Sequence, residues 1–255
     1  AATVEAVVET QLLTLNRDPF HYLLGPIHEQ LNVNYDSHKV IERSAIAAPS
    51  RATSRRATVD IKLNLNNIQR EELQMKKVLG EGTFGRVELC YHQRTNTSWA
   101  LKTQQKTQIA EAKQQKACML EKKVMACLRH PFILLLEATY QTKDLLFMLL
   151  ECVPGGELFQ LLAQRPAGCV PSDHAKFYGG CVIDAFSYMH EQKVVYRDLK
   201  PENLLLDRAG YIKVIDFGFG KFLDKAPYRT STFCGTPEYF APEIMMGKGY
   251  DFSVD

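Results

Sequence analysis

An α+β fold in two lobes, the first β-rich and the second helical, is what this sequence predicts, and three stretches predict it. A glycine-rich turn at 80–85 runs into Val87-Glu88-Leu89-Cys90-Tyr91-His92, which alternates like a strand. Arg94-Thr95-Asn96-Thr97 then turns the chain and Ser98-Trp99-Ala100-Leu101-Lys102 returns it. Further on, Pro171-Ser172-Asp173 opens a helix to about Glu191, with Phe177, Cys181, Ala185, Tyr188 and Met189 as its apolar side. That helix delivers Tyr196-Arg197-Asp198-Leu199-Lys200-Pro201-Glu202-Asn203, with Asp216-Phe217-Gly218 downstream. A carboxylate, an amine, an amide and a second carboxylate in this order are the polar equipment of phosphoryl transfer: a base, a cation for phosphate and oxygen ligands for magnesium.

The bulk numbers fit one large domain or two small ones. The 255 residues are 45% hydrophobic and 24% charged, an ordinary globular composition. A net charge of +2 names no polyanionic partner, so nucleic acid is not indicated. The longest apolar runs, 132–136 and 145–150, are far shorter than the roughly 18 residues of a membrane span. Seven scattered cysteines without paired spacing read as reduced thiols, and the expected address is cytoplasmic.

In chain order, Thr3 to Leu15 is β-branched and apolar with partial alternation, predicting two short strands. Asp18-Pro19-Phe20 starts a helix with Phe20, Leu23, Leu24 and Ile27 on one side. Residues 44–58 are rich in Ser, Thr, Ala and Arg and form a linker. Arg55-Arg56-Ala57-Thr58-Val59 within it, two Arg, a spacer, a hydroxyl and an apolar residue, is either a solvated basic segment or a site of autophosphorylation or autoinhibition.

Leu79-Gly80-Glu81-Gly82-Thr83-Phe84-Gly85-Arg86-Val87 contains G-x-G-x-x-G. A dinucleotide-binding turn would lead into a helix. This one leads into a strand, so a β-hairpin is expected to fold over phosphates, its glycines letting backbone amides approach the oxygens. A helix is expected over about Gln108 to Leu128. Ala117, Leu120, Val124 and Leu128 recur at helical spacing with Glu121 on the same stripe, and a carboxylate there needs a cation, for which Lys102 is the candidate. Leu145 to Glu151 is an apolar strand running into Pro154-Gly155-Gly156-Glu157.

Arg-Asp-Leu-Lys-Pro-Glu-Asn followed by Asp-Phe-Gly resembles the catalytic and metal loops of eukaryotic protein kinases, and Leu79 to Val87 with Ala100-Leu101-Lys102 is similar to their nucleotide cradle. The resemblance runs from about Met75 to Asp255 and implies ATP and Mg2+ as cofactors. It makes Asp198 the base, Lys200 the cation on the transferred group, and Asn203 and Asp216 the magnesium ligands. Lys102, paired with Glu121, would hold the α- and β-phosphates. The hinge backbone at Glu151 and Val153 would meet adenine, with Leu150 at the gate, Glu157 near ribose, and Ala100 and Leu205 among the cofactor-binding residues. Tyr-Arg-Asp, Gly-Thr-Pro-Glu-Tyr and the hinge place the resemblance in the AGC group. Thr232 then matches a phosphorylation site, with Arg197 and Lys221 as cations for the phosphate and Thr236 near the substrate hydroxyl. Glu157 and Glu202 would dock Arg side chains N-terminal to a substrate Ser or Thr.

Strand, strand and helix at the start resemble the end of a β-roll cyclic-nucleotide-binding domain, so the whole is similar to the cGMP-dependent protein kinases. Ala1 stands where that family often has Thr or Ser and is more like a cAMP site, which leaves cGMP or cAMP open as regulator. The expected organisation is 1–31 as a cyclic-nucleotide-domain remnant, 32–72 as linker, 73–153 as small lobe and 154–255 as a large lobe without its final helices. As such a fragment the isolated chain is expected to expose apolar surface and to lack activity. A catalytically silent kinase-fold scaffold is the alternative from another functional class.

Overall fold

The structure, a computed structural model, describes residues 67–165 and 168–255. The strands and helix expected in 1–31 and the Arg55-Arg56-Ala57-Thr58 segment lie outside the described residues.

Five strands build the first lobe: β1 (Leu73–Gly82), β2 (Gly85–His92), β3 (Thr97–Gln105), β4 (Leu136–Gln141) and β5 (Leu145–Glu151). They form one antiparallel sheet in the order β1-β2-β3-β5-β4. Central strands are covered on both faces and lose their alternation. Trp99, Ala100 and Leu101 in β3, and Phe147 to Leu150 in β5, are buried in succession. One core cluster joins Trp99, Leu101, Phe147 and Leu149 to Cys90, Leu73 and Ile68. Ile68, ahead of β1, is wholly buried, and its carbonyl accepts from the Tyr140 hydroxyl at 2.7 Å.

Helices α1 (Lys106–Glu111) and α2 (Gln115–Cys127) follow β3. This corrects the single helix expected over about Gln108 to Leu128. The break falls at Lys113, whose φ of 56° is left-handed. Lys113 N–H donates to Ala110 O at 3.0 Å and Gln114 N–H to Ile109 O at 2.9 Å, so the carbonyls ending α1 are satisfied by a turn that usually takes glycine. With Lys at that position the stop left no mark in the sequence.

The second lobe comprises α3 (Leu158–Ala163), α4 (Ser172–Glu191), the short strands β6 (Val194–Val195), β7 (Leu204–Leu206), β8 (Ile212–Val214) and β9 (Lys221–Phe222), and α5 (Pro242–Met245). Helix α4 begins directly after Pro171 and buries Cys181, Ala185 and Met189 on the expected side, with Val182 and Phe186 beside them. Strand β6 pairs with β9 and β7 with β8. These two ribbons display the loops 196–203 and 215–220. Phe186, Tyr196 and Phe217 form a buried aromatic column with 5.5 Å between successive rings, locking both loops to α4.

Backbone bonds join the two lobes. Leu134 N–H donates to Val214 O at 2.9 Å, and Val214 N–H to Phe132 O at 2.8 Å. After β5 the chain lies against β7: Gly155 N–H donates to Leu206 O at 2.8 Å and Leu206 N–H to Gly156 O at 2.9 Å. A Cβ on Gly155 would stand 2.4 Å from Leu206 O, so this approach admits only glycine. Among the described residues no helix is long and apolar enough to cross a membrane.

Candidate active site

The glycine turn is the tip of the β1–β2 hairpin. Leu79, Gly80, Glu81 and Gly82 end β1, Thr83 and Phe84 make the tip, and Gly85, Arg86 and Val87 open β2. Gly82 pairs with Gly85, and Gln105 N–H donates to Phe84 O at 2.9 Å, tying the tip to the end of β3. A cavity of about 520 Å³ lies against this turn, lined also by Lys102, Glu121, Asp216 and Gly218. At Gly80 an added Cβ would meet nothing within 4 Å, and at Gly82 nothing nearer than 3.9 Å. The protein's own packing does not demand glycine at these two positions. A phosphate drawn up to the backbone amides does, and in this respect the turn fits a nucleotide.

Lys102 stands on β3 between Val87 of β2 and Met148 of β5. Its Nζ lies 2.6 Å from Glu121 Oε1, and the Glu121 side chain is only 9% exposed. Helix α2 presents that carboxylate on the same side as the buried Val124, at the predicted spacing. Next to it Cys118, another lining residue, has its thiol pushed above the usual range, first by burial and then by the Glu121 charge.

At the junction of the lobes, Ala100 and Leu150 pair across β3 and β5 and are both buried. Glu151 ends β5 and Val153 follows it. Glu157 precedes α3 and bridges to Leu205 in β7, so these two predicted residues adjoin each other.

The loop after β6 carries Asp198, 4% exposed. Asn203 Nδ2 donates to both Asp198 O and Asp198 Oδ2 at 2.8 Å. Lys200 Nζ lies 3.1 Å from the same Oδ2, while the Thr236 hydroxyl donates to Oδ1 at 2.6 Å and accepts from Lys200 Nζ at 2.8 Å. A carboxylate, a cation and a hydroxyl therefore meet within one hydrogen-bonded ring. Asp216 follows β8 with φ 57°, and its Oδ1 accepts from Gly218 N–H at 3.2 Å, leaving the side chain exposed at the cavity. Beneath it Tyr196 donates to Ile215 O at 2.5 Å, and burial, with Asp216 and Asp198 nearby, pushes its phenol well above the usual range.

Among the described residues no three His, Cys, Asp or Glu side chains gather as a metal cage. Magnesium shared with phosphate oxygens needs only one or two protein oxygens, and Asn203 and Asp216 are a donor set of that kind.

In the segment after Asp216, Lys221 Nζ donates to Thr230 Oγ1 at 2.7 Å and to Thr232 Oγ1 at 3.2 Å. The Arg197 guanidinium does not reach the Thr232 hydroxyl. It donates to Phe219 O at 2.8 and 2.5 Å and to the Tyr250 hydroxyl at 3.1 Å, and Tyr250 in turn donates to Thr232 O at 2.5 Å. Sequence reasoning gave no role to Tyr250 or Thr230, since neither is fixed by a motif. Asp255 also braces the loop, accepting from Tyr196 N–H at 2.7 Å and Arg197 N–H at 2.6 Å. Glu202 Oε2 is buried without a hydrogen-bond partner among the described residues.

A five-stranded lobe under a glycine hairpin, a part-buried Lys–Glu pair and an Asp–Lys–Asn loop on a helical lobe define a bilobal protein-kinase fold. The protein kinase domain model matches residues 73–255, and the chain belongs to that family. Within it, the sequence is similar to the cGMP-dependent kinases of the AGC group. It is 38% identical to cGMP-dependent protein kinase, isozyme 1, of Drosophila melanogaster over 96% of this chain and 32% of that one. It is 45% identical to cGMP-dependent protein kinase 2 of Homo sapiens over 72% of this chain and 24% of that one. With the cGMP-dependent protein kinase of Plasmodium berghei the identity is 43%, over 76% and 22%. The chain thus spans a third or less of the length of these relatives.

Proposed function

We propose that this chain carries the catalytic part of a serine/threonine protein kinase that moves the γ-phosphate of ATP to Ser or Thr in Arg-rich contexts. The observation that carries the reading is the ring of Asp198, Lys200 and Thr236. In it a nearly buried carboxylate already accepts from a hydroxyl at 2.6 Å, with an ammonium group 3.1 Å away. A substrate hydroxyl needs that acceptor to orient it, and the γ-phosphoryl group needs that cation to offset its charge. Lys102, held by Glu121, binds the α- and β-phosphates, and the turn from Leu79 to Val87 covers them. Asn203 and Asp216 would hold magnesium, which would supply positive charge to offset that of the phosphates. The backbone of Glu151 and Val153 meets adenine, while Ala100, Leu150 and Leu205 enclose it.

Glu157 and Glu202 receive substrate arginines, since a carboxylate accepts from both arms of a guanidinium. Phosphorylation of Thr232 adds about −1.5 to −2 charge beside Lys221, and Arg197 joins through Tyr250. We further propose the partition 1–31, 32–72, 73–153 and 154–255, with the first segment the end of a cyclic-nucleotide-binding domain, cGMP as the regulator, and a cytoplasmic address. The names of the relatives support cGMP over cAMP.

The test is transfer from Mg-ATP to an Arg-Arg-x-Ser peptide by the full-length protein, with cGMP and cAMP titrated separately. Asp198→Asn is expected to lower kcat by about 10²–10⁴-fold with ATP binding retained. A folded, Thr232-phosphorylated protein that transfers nothing would instead be the silent scaffold. Activity indifferent to both nucleotides would remove residues 1–31 from the regulation.

A further inference from the structure

We infer that Lys213 is a positioning residue for the adenine end of the nucleotide. It acts through Glu151, and the inference rests on the proposed contact of the Glu151–Val153 backbone with adenine. Lys213 is the middle residue of β8, paired with Leu205 of β7, and its side chain is 6% exposed. Its Nζ lies 2.6 Å from Glu151 Oε1. The other oxygen, Oε2, accepts from Leu135 N–H at 3.0 Å, and Glu151 N–H donates to Leu135 O at 3.0 Å. Side chain and backbone of this one hinge residue are therefore clamped from two directions.

A buried ammonium group is held at a cost that only a close partner offsets, so the pair fixes the distance between β8 and the end of β5. Strand β8 ends at Val214 and Asp216 follows two residues on, three beyond Lys213 and at most about 10 Å along the chain. One short strand thus sets both the hinge and the proposed magnesium ligand, and the ion pair keeps the two ends of an ATP-length site in register. A hinge edge displaced by a fraction of an ångström loses hydrogen bonds to adenine while the phosphate end is untouched.

Calorimetry on the full-length protein with two probes, adenosine and magnesium tripolyphosphate, separates this role from simple stabilisation. Lys213→Met is expected to weaken adenosine about tenfold and to raise the KM for ATP equally, with tripolyphosphate affinity and kcat within about twofold of the parent. Lys213→Arg, which keeps the charge, is expected to recover most of the loss. If Lys213→Met does not fold, Lys213→Gln, with a shorter and neutral donor, is read in the same way. Unchanged adenosine affinity in a folded variant overturns the inference, as does an equal loss for both probes. A parent chain that binds tripolyphosphate and not adenosine overturns the hinge reading itself.

Discussion

Gly82 and Gly85 stand three residues apart under different constraints, and their contrast is testable one residue at a time. A Cβ on Gly85 would fall 1.8 Å from Thr103 O and 2.8 Å from its carbonyl carbon, so alanine there must push β2 off β3. At Gly82 the same atom has open space. Gly85→Ala is expected to cost about 1–3 kcal/mol and to lower the melting temperature by several degrees. Gly82→Ala should leave the melting temperature nearly unchanged and raise the KM for ATP. Melting curves and initial rates on both variants decide this, and a Gly82→Ala loss confined to stability would remove the phosphate role. The motif was legible as a hairpin because a strand and not a helix follows it. Which glycine serves the sheet and which the ligand depends on the approach of Thr103 from β3, and no spacing encodes that. Glu121 was legible for the opposite reason: a carboxylate on an apolar helical stripe demands a cation wherever the fold places it.

Elements differ in legibility for the same physical reason. Helix α4 and the β1–β2–β3 meander announce themselves through period and turn residues. The stop between α1 and α2 rests on Lys113 in a conformation that glycine normally marks. The segment from Asp216 to Tyr250 is harder still, since its geometry depends on side chains that meet across the loop. The Tyr250 hydroxyl accepts from Arg197 and donates to Thr232 O, so one phenol joins the loop before Asp198 to the proposed phosphorylation site. Burial pushes that phenol upward, opposed by Arg197, and keeps it a donor at neutral pH. Tyr250→Phe removes both bonds and leaves Arg197, 9% exposed, with only Phe219 O among these partners. The expected outcome is a stability loss of about 1–3 kcal/mol, faster proteolysis between Leu223 and Gly235, and a severalfold higher peptide KM with the KM for ATP unchanged. Equal proteolysis in parent and variant would show that the tie does not order the segment.

At the scale of the molecule, both lobes bury titratable groups in the neutral state, and this sets how the fold responds to base. Cys90, in the sheet core, and Cys181, on α4, have thiols pushed up to about 12 by burial, and Tyr140 and Tyr196 move upward for the same reason. Unfolded thiols release their protons near pH 9, whereas the folded ones hold theirs until about 12. Between those values the unfolded chain binds fewer protons, so the slope of unfolding free energy against pH is negative. The stability these groups contribute is complete below about pH 9 and is lost as the pH rises toward 12. Urea midpoints are therefore expected to hold steady between neutral pH and pH 9 and to fall steadily beyond it. Cys181→Ala should flatten that decline, because alanine fills the site without a proton to lose and the alkaline slope loses one contributor, while its midpoint at neutral pH drops for the lost packing. A decline of unchanged steepness in the variant would mean that Cys181 is not among the groups that carry the alkaline sensitivity.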